Sequence, residues 1–201
     1  MNRIVGHPLV SIWTRPRATI RSIVGTDPTR YVLVLAALAG VRQALNEMTI
    51  SQLGDEFGPA GLIVLALGAG AVAGMVGLYL AAWLFEVTGR WLGGTARARE
   101  LRAALAWGGV PLVAALLVVA LEVLLYGQAI FTSALPSLNQ KPVFLALRVV
   151  ESVLSIWALV LLLKCVSEVQ GFSIWKALVN TLLATLAIVL PIALLALVLG
   201  R

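Results

Sequence analysis

Five apolar stretches, at residues 29–45, 59–87, 103–130, 142–166 and 174–199, constrain this chain more than anything else in it. A helix needs roughly 20 apolar residues to cross a hydrocarbon core about 30 Å thick. Inside lipid, every backbone polar group must be satisfied within the segment or by a closed barrel. Runs of this length, separated by short polar connections, predict an all-α fold: a polytopic membrane bundle of five transmembrane helices. Composition agrees. Hydrophobic residues make up 61% of the chain and charged residues 12%, with a mean hydropathy of +1.00. A soluble domain is about half apolar and about a quarter charged. The first stretch is short and ends in the polar pair Arg42 and Gln43.

Lysines and arginines set the orientation, because they collect on the cytoplasmic side of membrane spans. With the N-terminus inside, that side holds Arg3, Arg15, Arg17, Arg21, Arg30, Arg90, Arg97, Arg99, Arg102, Lys164 and Lys176. The opposite side keeps Arg42, Lys141, Arg148 and Arg201, and the loop at 47–58 is acidic through Glu47, Asp55 and Glu56. The N-terminus is therefore expected on the cytoplasmic side and the C-terminus on the opposite one. The net charge of +6 lies beside apolar runs, where cations meet anionic headgroups; nucleic acid is not an expected partner. Residues 1–13 lack an apolar core followed by a small-residue cleavage site, so no signal peptide is expected.

Residues 1–28 read as a cytoplasmic interfacial segment, and 29–201 as the five-helix domain. Leu9, Ile12 and Trp13 fall at helical spacing, and after Pro16 the pattern returns as Ile20, Ile23 and Val24. Arg17 and Arg21 lie one turn apart on the other face, and Gly25 can stop the helix. An apolar face, a cationic face and a boundary Trp describe an amphipathic helix lying in the inner interface, although a plain topology signal would share these features.

Charges within spans are expensive in lipid and are functional candidates by default. Helix rise places Arg42, Glu122, Arg148 and Glu151 toward the outer side, and Glu86, Arg90, Lys164 and Glu168 toward the inner side. Each layer holds two cations and two carboxylates. Arg148 and Glu151 stand at i, i+3 and can pair locally, while Glu122 needs Arg42 or Arg148. Two readings stay open: a structural salt-bridge network, or a polar path for a small transporter or channel.

Gly70 and Gly74 form a GxxxG, extended by Ala73, Gly77 and Ala81. Such stripes let helix backbones approach closely, within one bundle or between protomers. Pro111, preceded by Gly108-Gly109, and Pro191 should kink their spans. Asn180 and the Thr181/Thr185 pair can bond across helices. Gly93-Gly94 breaks the chain after the second span, where Thr95 can cap the next helix; Gly171 and Ser173 punctuate the connection before the fifth.

Cys165 is the sole cysteine and His7 the sole histidine, which leaves no disulfide and no thiolate or imidazole cluster for a metal. No Gly-rich phosphate loop, GxSxG or HExxH is present. No catalytic residue, metal or cofactor is expected, and the chain reads as a non-enzyme.

The chain resembles the Yip1 family of small multi-span membrane proteins, in its bacterial branch. Three blocks carry the resemblance. The first is Ile12-Trp13-Thr14-Arg15-Pro16-Arg17-Ala18-Thr19-Ile20-Arg21, followed by Pro28. The second is Leu101-Arg102-Ala103-Ala104-Leu105-Ala106-Trp107, leading to Pro111, and the third is Ser167-Glu168-Val169-Gln170-Gly171-Phe172-Ser173-Ile174-Trp175-Lys176-Ala177. The resemblance implies a five-helix bundle with a cytoplasmic N-terminus. Eukaryotic relatives work in vesicle trafficking and associate with prenylated Rab GTPases and with one another. Their Asp-Leu-Tyr-Gly-Pro and Tyr-Gly-Tyr motifs are absent here, as is their long N-terminal domain, and no catalytic residue is carried over. The expected role is a membrane scaffold or adaptor that contacts anionic headgroups, a membrane-protein partner or a second copy of itself. The residues singled out for that surface are Trp13, Arg15, Pro16, Arg17, Arg21, Glu168, Gly171, Trp175 and Lys176.

Overall fold

The computed structural model describes residues 7–138 and 141–199, and among them every regular element is helical. Arg3 and Arg201, two of the cations counted above for orientation, lie outside the described residues. Among the described residues four helical segments are long and apolar enough to cross a membrane: Pro59–Trp91, Ala98–Phe131, Pro142–Gln170 and Ile174–Pro191. Only 17–28% of the positions in their most apolar windows are buried by protein. The other apolar side chains face outward, which in a stable protein requires lipid. This is a multi-span helical membrane protein.

The helices are α1 (Pro8–Thr14), α2 (Pro16–Thr26), α3 (Val32–Ile50), α4 (Pro59–Leu65), α5 (Ala71–Trp91), α6 (Ala98–Gly108), α7 (Val110–Tyr126), α8 (Leu135–Leu138), α9 (Pro142–Gln170) and α10 (Ile174–Leu199). The expected first span, 29–45, corresponds to α3. That helix forms, but with Arg42, Gln43, Asn46 and Glu47 in its second half it is not among the four strongly apolar segments. Between α4 and α5 the residues Ala66–Gly70 form a π-turn, a one-turn widening often found at functional or closely packed places. The bend expected at Pro111 is a full interruption. Here α6 ends at Gly108, Gly109 caps α7, and Pro111 sits in the first turn where its missing N–H is harmless. By contrast α10 runs on through Pro191.

The contacts divide the chain into two compact units. The first comprises residues 1–30, 78–108 and 161–201. Its core is built around Trp107, Leu101, Ile12, Ile20, Leu161, Val166 and Ala177, all completely or almost completely buried. The Trp107 indole nitrogen donates to the Arg30 carbonyl (3.2 Å). Gly108 permits a close crossing, since a Cβ there would lie 2.8 Å from Leu162 Cα. The sequence pattern assigns the Ile12/Ile20/Ile23 stripe to lipid. In the structure protein covers these three residues, which are 0–3% exposed, while Arg15, Arg17 and Arg21 face outward.

The second unit comprises residues 31–77 and 109–160. Val41, Met48, Leu62, Ala66, Ile130, Phe131, Leu138 and Phe144 form its core, with Tyr126 edge-on to Phe144 at 5.3 Å. Two connections are tied together. Gln128 donates to the carbonyls of Gly54 (2.6 Å) and Phe57 (2.8 Å), and Asp55 accepts from the Ser133 amide (3.0 Å).

The GxxxG acts within this unit. Cβ atoms added at Gly70 and Gly74 would meet Ala44 Cβ (2.7 Å) and Gly40 Cα (2.6 Å) of α3, and one added at Gly40 would strike the Gly70 carbonyl. The partner stripe is thus Ala36, Gly40 and Ala44, one small residue per turn of α3. Gly77 takes no part, because a Cβ there would have nothing within 4 Å.

Candidate functional site

Two clusters carry the polar chemistry, one in each unit. In the second unit the four expected intramembrane charges do gather. Arg148 is shared between two carboxylates, with Nε 3.5 Å from Glu122 Oε1 and an Nη donating to Glu151 at 2.8 Å. Of the two partners open to Glu122, the structure selects Arg148. Both acids are strongly buried, their side chains 1% and 9% exposed, whereas the Arg148 side chain is 31% exposed and its guanidinium lies 5.0 Å from the Phe144 ring centre. Buried ion pairs of this kind offset the penalty of removing each charge from water only when the geometry satisfies both partners.

Satisfaction is incomplete. Arg42 Nε and Glu122 Oε1 are buried without a protein hydrogen-bond partner. Both line one small cavity, together with Asn46, Thr49, Val119 and Glu151. Its free space is about 10 Å³, room for about one water molecule. With all four groups ionised the cluster is electrically neutral.

In the first unit, the N-terminal segment is clasped onto the end of α9. Arg21 pairs with Glu168 (Nε to Oε1, 2.7 Å), and Arg17 reaches the Ser167 hydroxyl (3.4 Å). Pro16 is buried, Trp13 is half-buried and Arg15 is exposed. Gly171 ends α9 in the left-handed conformation (φ +70°), letting the Phe172 amide reach back to the Ser167 carbonyl (3.2 Å). The Ser173 hydroxyl then accepts from the Lys176 amide (3.4 Å), the cap expected for α10. Lys176 itself points elsewhere, its ammonium donating to the Leu92 carbonyl (2.9 Å) near the end of α5. Trp175 is 74% exposed and Trp91 72%. The carboxylate of Glu86 pairs with Arg90 and accepts from the first amide of α6, Ala98 (2.8 Å), so Glu86 and not Thr95 caps that helix.

Sequence reasoning missed the hub of this unit. Gln170, 1% exposed, donates to the Phe85 carbonyl (3.0 Å) and accepts from the Ala96 amide (3.2 Å), while its own carbonyl accepts from Thr95 N (3.3 Å). Asn180 adds a second donor to Phe85 O (3.3 Å) and accepts from the Thr88 hydroxyl (2.5 Å), the cross-helix bonding expected of it. Thr181 instead bonds back within α10, to the Ala177 carbonyl. Gly89 and Gly94 both press on the Gln170 amide, and a Cβ at either would collide with it. Those two glycines were the available signal.

Comparison with known protein families matches the Yip1 domain over residues 10–197, nearly the whole chain. This chain belongs to the Yip1 domain family. No curated protein and no solved structure matches it. The three sequence blocks that resemble Yip1 proteins fall on α1–α2, on α6 and on the α9–α10 connection, and all three belong to the first unit. Among the described residues no group of His, Cys, Asp and Glu is placed to hold a metal ion.

Proposed function

We propose that this Yip1-domain protein is a non-enzymatic membrane scaffold or adaptor, working through anionic headgroups and protein partners at the surface made by α1, α2 and the α9–α10 connection. The observation that carries this reading is the gathering of the three Yip1-like blocks into one unit whose outward groups are Arg15, Arg17, Arg21 and Trp175. Guanidinium groups recognise phosphate by paired, charge-assisted hydrogen bonds, and a Trp beside them favours headgroup depth. In this reading α3 is a fifth span, the N-terminus lies on the cytoplasmic side of a bacterial inner membrane and the C-terminus opposite. The surplus of Lys and Arg near α1, α2, α6 and the α9–α10 connection supports that orientation.

A second reading, a small transporter or channel running through Arg42, Glu122, Arg148 and Glu151, is favoured by the two buried groups left without a protein partner. Against it stand the sharing of Arg148 between both acids and a cavity that holds about one water.

Reconstituted full-length protein separates the two. Spin-labelled phosphatidylglycerol is expected to associate with wild type in preference to phosphatidylcholine, and the triple variant Arg15→Gln, Arg17→Gln, Lys176→Gln to lose that preference. An unchanged preference, with unchanged captured partners, removes the scaffold reading. Proton or ion flux by wild type that Glu122→Gln and Arg148→Gln abolish without unfolding would put the transporter in its place.

A further inference from the structure

The cavity beside Glu122 holds two complementary groups that make no hydrogen bond to protein. Arg42 Nε, on α3, is a donor; Glu122 Oε1, on α7, is an acceptor. The nearest cation to that oxygen is Arg148 Nε at 3.5 Å, too long for a good N–H···O bond. Arg42 has no ion pair among the described residues. A buried polar atom left unmatched is penalised heavily, above all when charged. Such sites in native proteins are resolved by an ordered water with two to four polar partners. Here the free space of about 10 Å³ is that of one water; Asn46 and Thr49 also line it, the Thr49 hydroxyl donating back to the Leu45 carbonyl (3.0 Å).

We infer that this cavity is a hydration site, in which one water molecule accepts from Arg42 Nε–H and donates to Glu122 Oε1. The water joins α3 to α7. It thereby adds the Arg42 charge, through water, to a carboxylate whose direct ion-pair partner is Arg148 at 3.5 Å, while Arg148 bonds Glu151 at 2.8 Å. Arg42, Asn46 and Thr49 stand at i, i+4 and i+7 of α3 and present one polar stripe to this cavity. The least apolar of the long helices thus has an internal use for its polar residues.

Water-edited solid-state NMR on the full chain in bilayers tests the site. Magnetisation from water protons is expected at the Glu122 carboxyl carbon and at Arg42 Nε. Asn180, equally buried but satisfied by Thr88 and Phe85, serves as the dry reference. Because Glu122 is 1% exposed, transfer there reports an internal water. Glu122→Gln keeps an oxygen acceptor and is expected to retain the transfer at Arg42, whereas Glu122→Leu removes the acceptor and is expected to abolish it. A Glu122 carboxyl as dry as Asn180 in wild type overturns the inference without any variant. Transfer at Arg42 that survives in a folded Glu122→Leu protein overturns it too, since the water would then come from outside the site.

Discussion

Arg21 and Glu168, 147 residues apart in sequence, are joined by a 2.7 Å hydrogen bond from Nε to Oε1. This pair holds α2 against the end of α9, beside the glycine turn that leads into α10. The Arg21 side chain is 68% exposed while Glu168 is only 17% exposed, so the bond sits at the edge of the unit, where ion pairs contribute up to about 1 kcal/mol and weaken with salt. Arg21→Gln should therefore leave the fold intact and loosen only the clasp. Amide exchange over α1 and α2 should quicken, with the charge-reversed pair Arg21→Glu, Glu168→Arg restoring protection. Equal exchange in all variants would mean that Ile12, Ile20 and Ile23 hold the segment without help.

The glycines of the second span separate into contact and non-contact positions. Gly74→Ala forces a methyl against the Gly40 and Ala36 backbones of α3. Overpacking of this kind typically costs ~1–3 kcal/mol. Gly77→Ala meets nothing within 4 Å and should be neutral, within about 0.5 kcal/mol, as for surface changes away from special features. Thermal unfolding in detergent distinguishes them, and equal behaviour of the two variants would contradict the packing described.

The buried Gln170 side chain ties two separate segments of the first unit together, at Phe85 and at Ala96. Gln170→Leu leaves the Ala96 amide without its acceptor and removes one of two side-chain donors from the Phe85 carbonyl. Each buried group left unsatisfied costs about 1–3 kcal/mol. Gly89→Ala, which pushes the same amide aside, should lower the unfolding temperature similarly. Because both act on one group, the double variant should fall short of the sum of the singles; strict additivity would show that the glycine and the glutamine act independently.

These positions also show what the sequence makes legible. Hydrophobic length identifies four of the five expected spans, because lipid forces backbone satisfaction within each run. The charge cluster could be anticipated because an acid in the middle of a span must find a cation, though the choice of Arg148 over Arg42 depends on side-chain reach. The Gly70/Gly74 stripe is visible as a GxxxG, but its partner Ala36/Gly40/Ala44 is not, because alanines in an apolar stretch are too common to mark a contact. Amphipathicity in α1 and α2 identifies the face that is covered but misassigns its cover: the pattern points to lipid, whereas protein covers Ile12, Ile20 and Ile23, because periodicity alone does not distinguish an apolar face against lipid from one against protein. Gln170 is harder to read, because nothing local distinguishes a glutamine at a helix end that turns inward from one that stays in water; its mark in the sequence is the distant pair Gly89 and Gly94, which make room for its amide.

The fifth span is open to a direct test through the lone cysteine. Cys165 is buried, and Cys165→Ala gives a background for single reporter cysteines. In intact cells a membrane-impermeant maleimide should label Phe57→Cys, in the turn after α3, and Ser137→Cys, in α8. It should reach Arg15→Cys only after the membrane is opened. The exposure of Phe57 and Ser137 makes both positions reactive without disturbing a core. Arg15 and Phe57 labelling from the same side would mean that α3 does not cross, leaving the four strongly apolar segments as the only spans among the described residues. Labelling from opposite sides makes α3 a span despite Arg42 and Glu47, and requires its polar face to be turned away from lipid, toward Glu122 and Arg148.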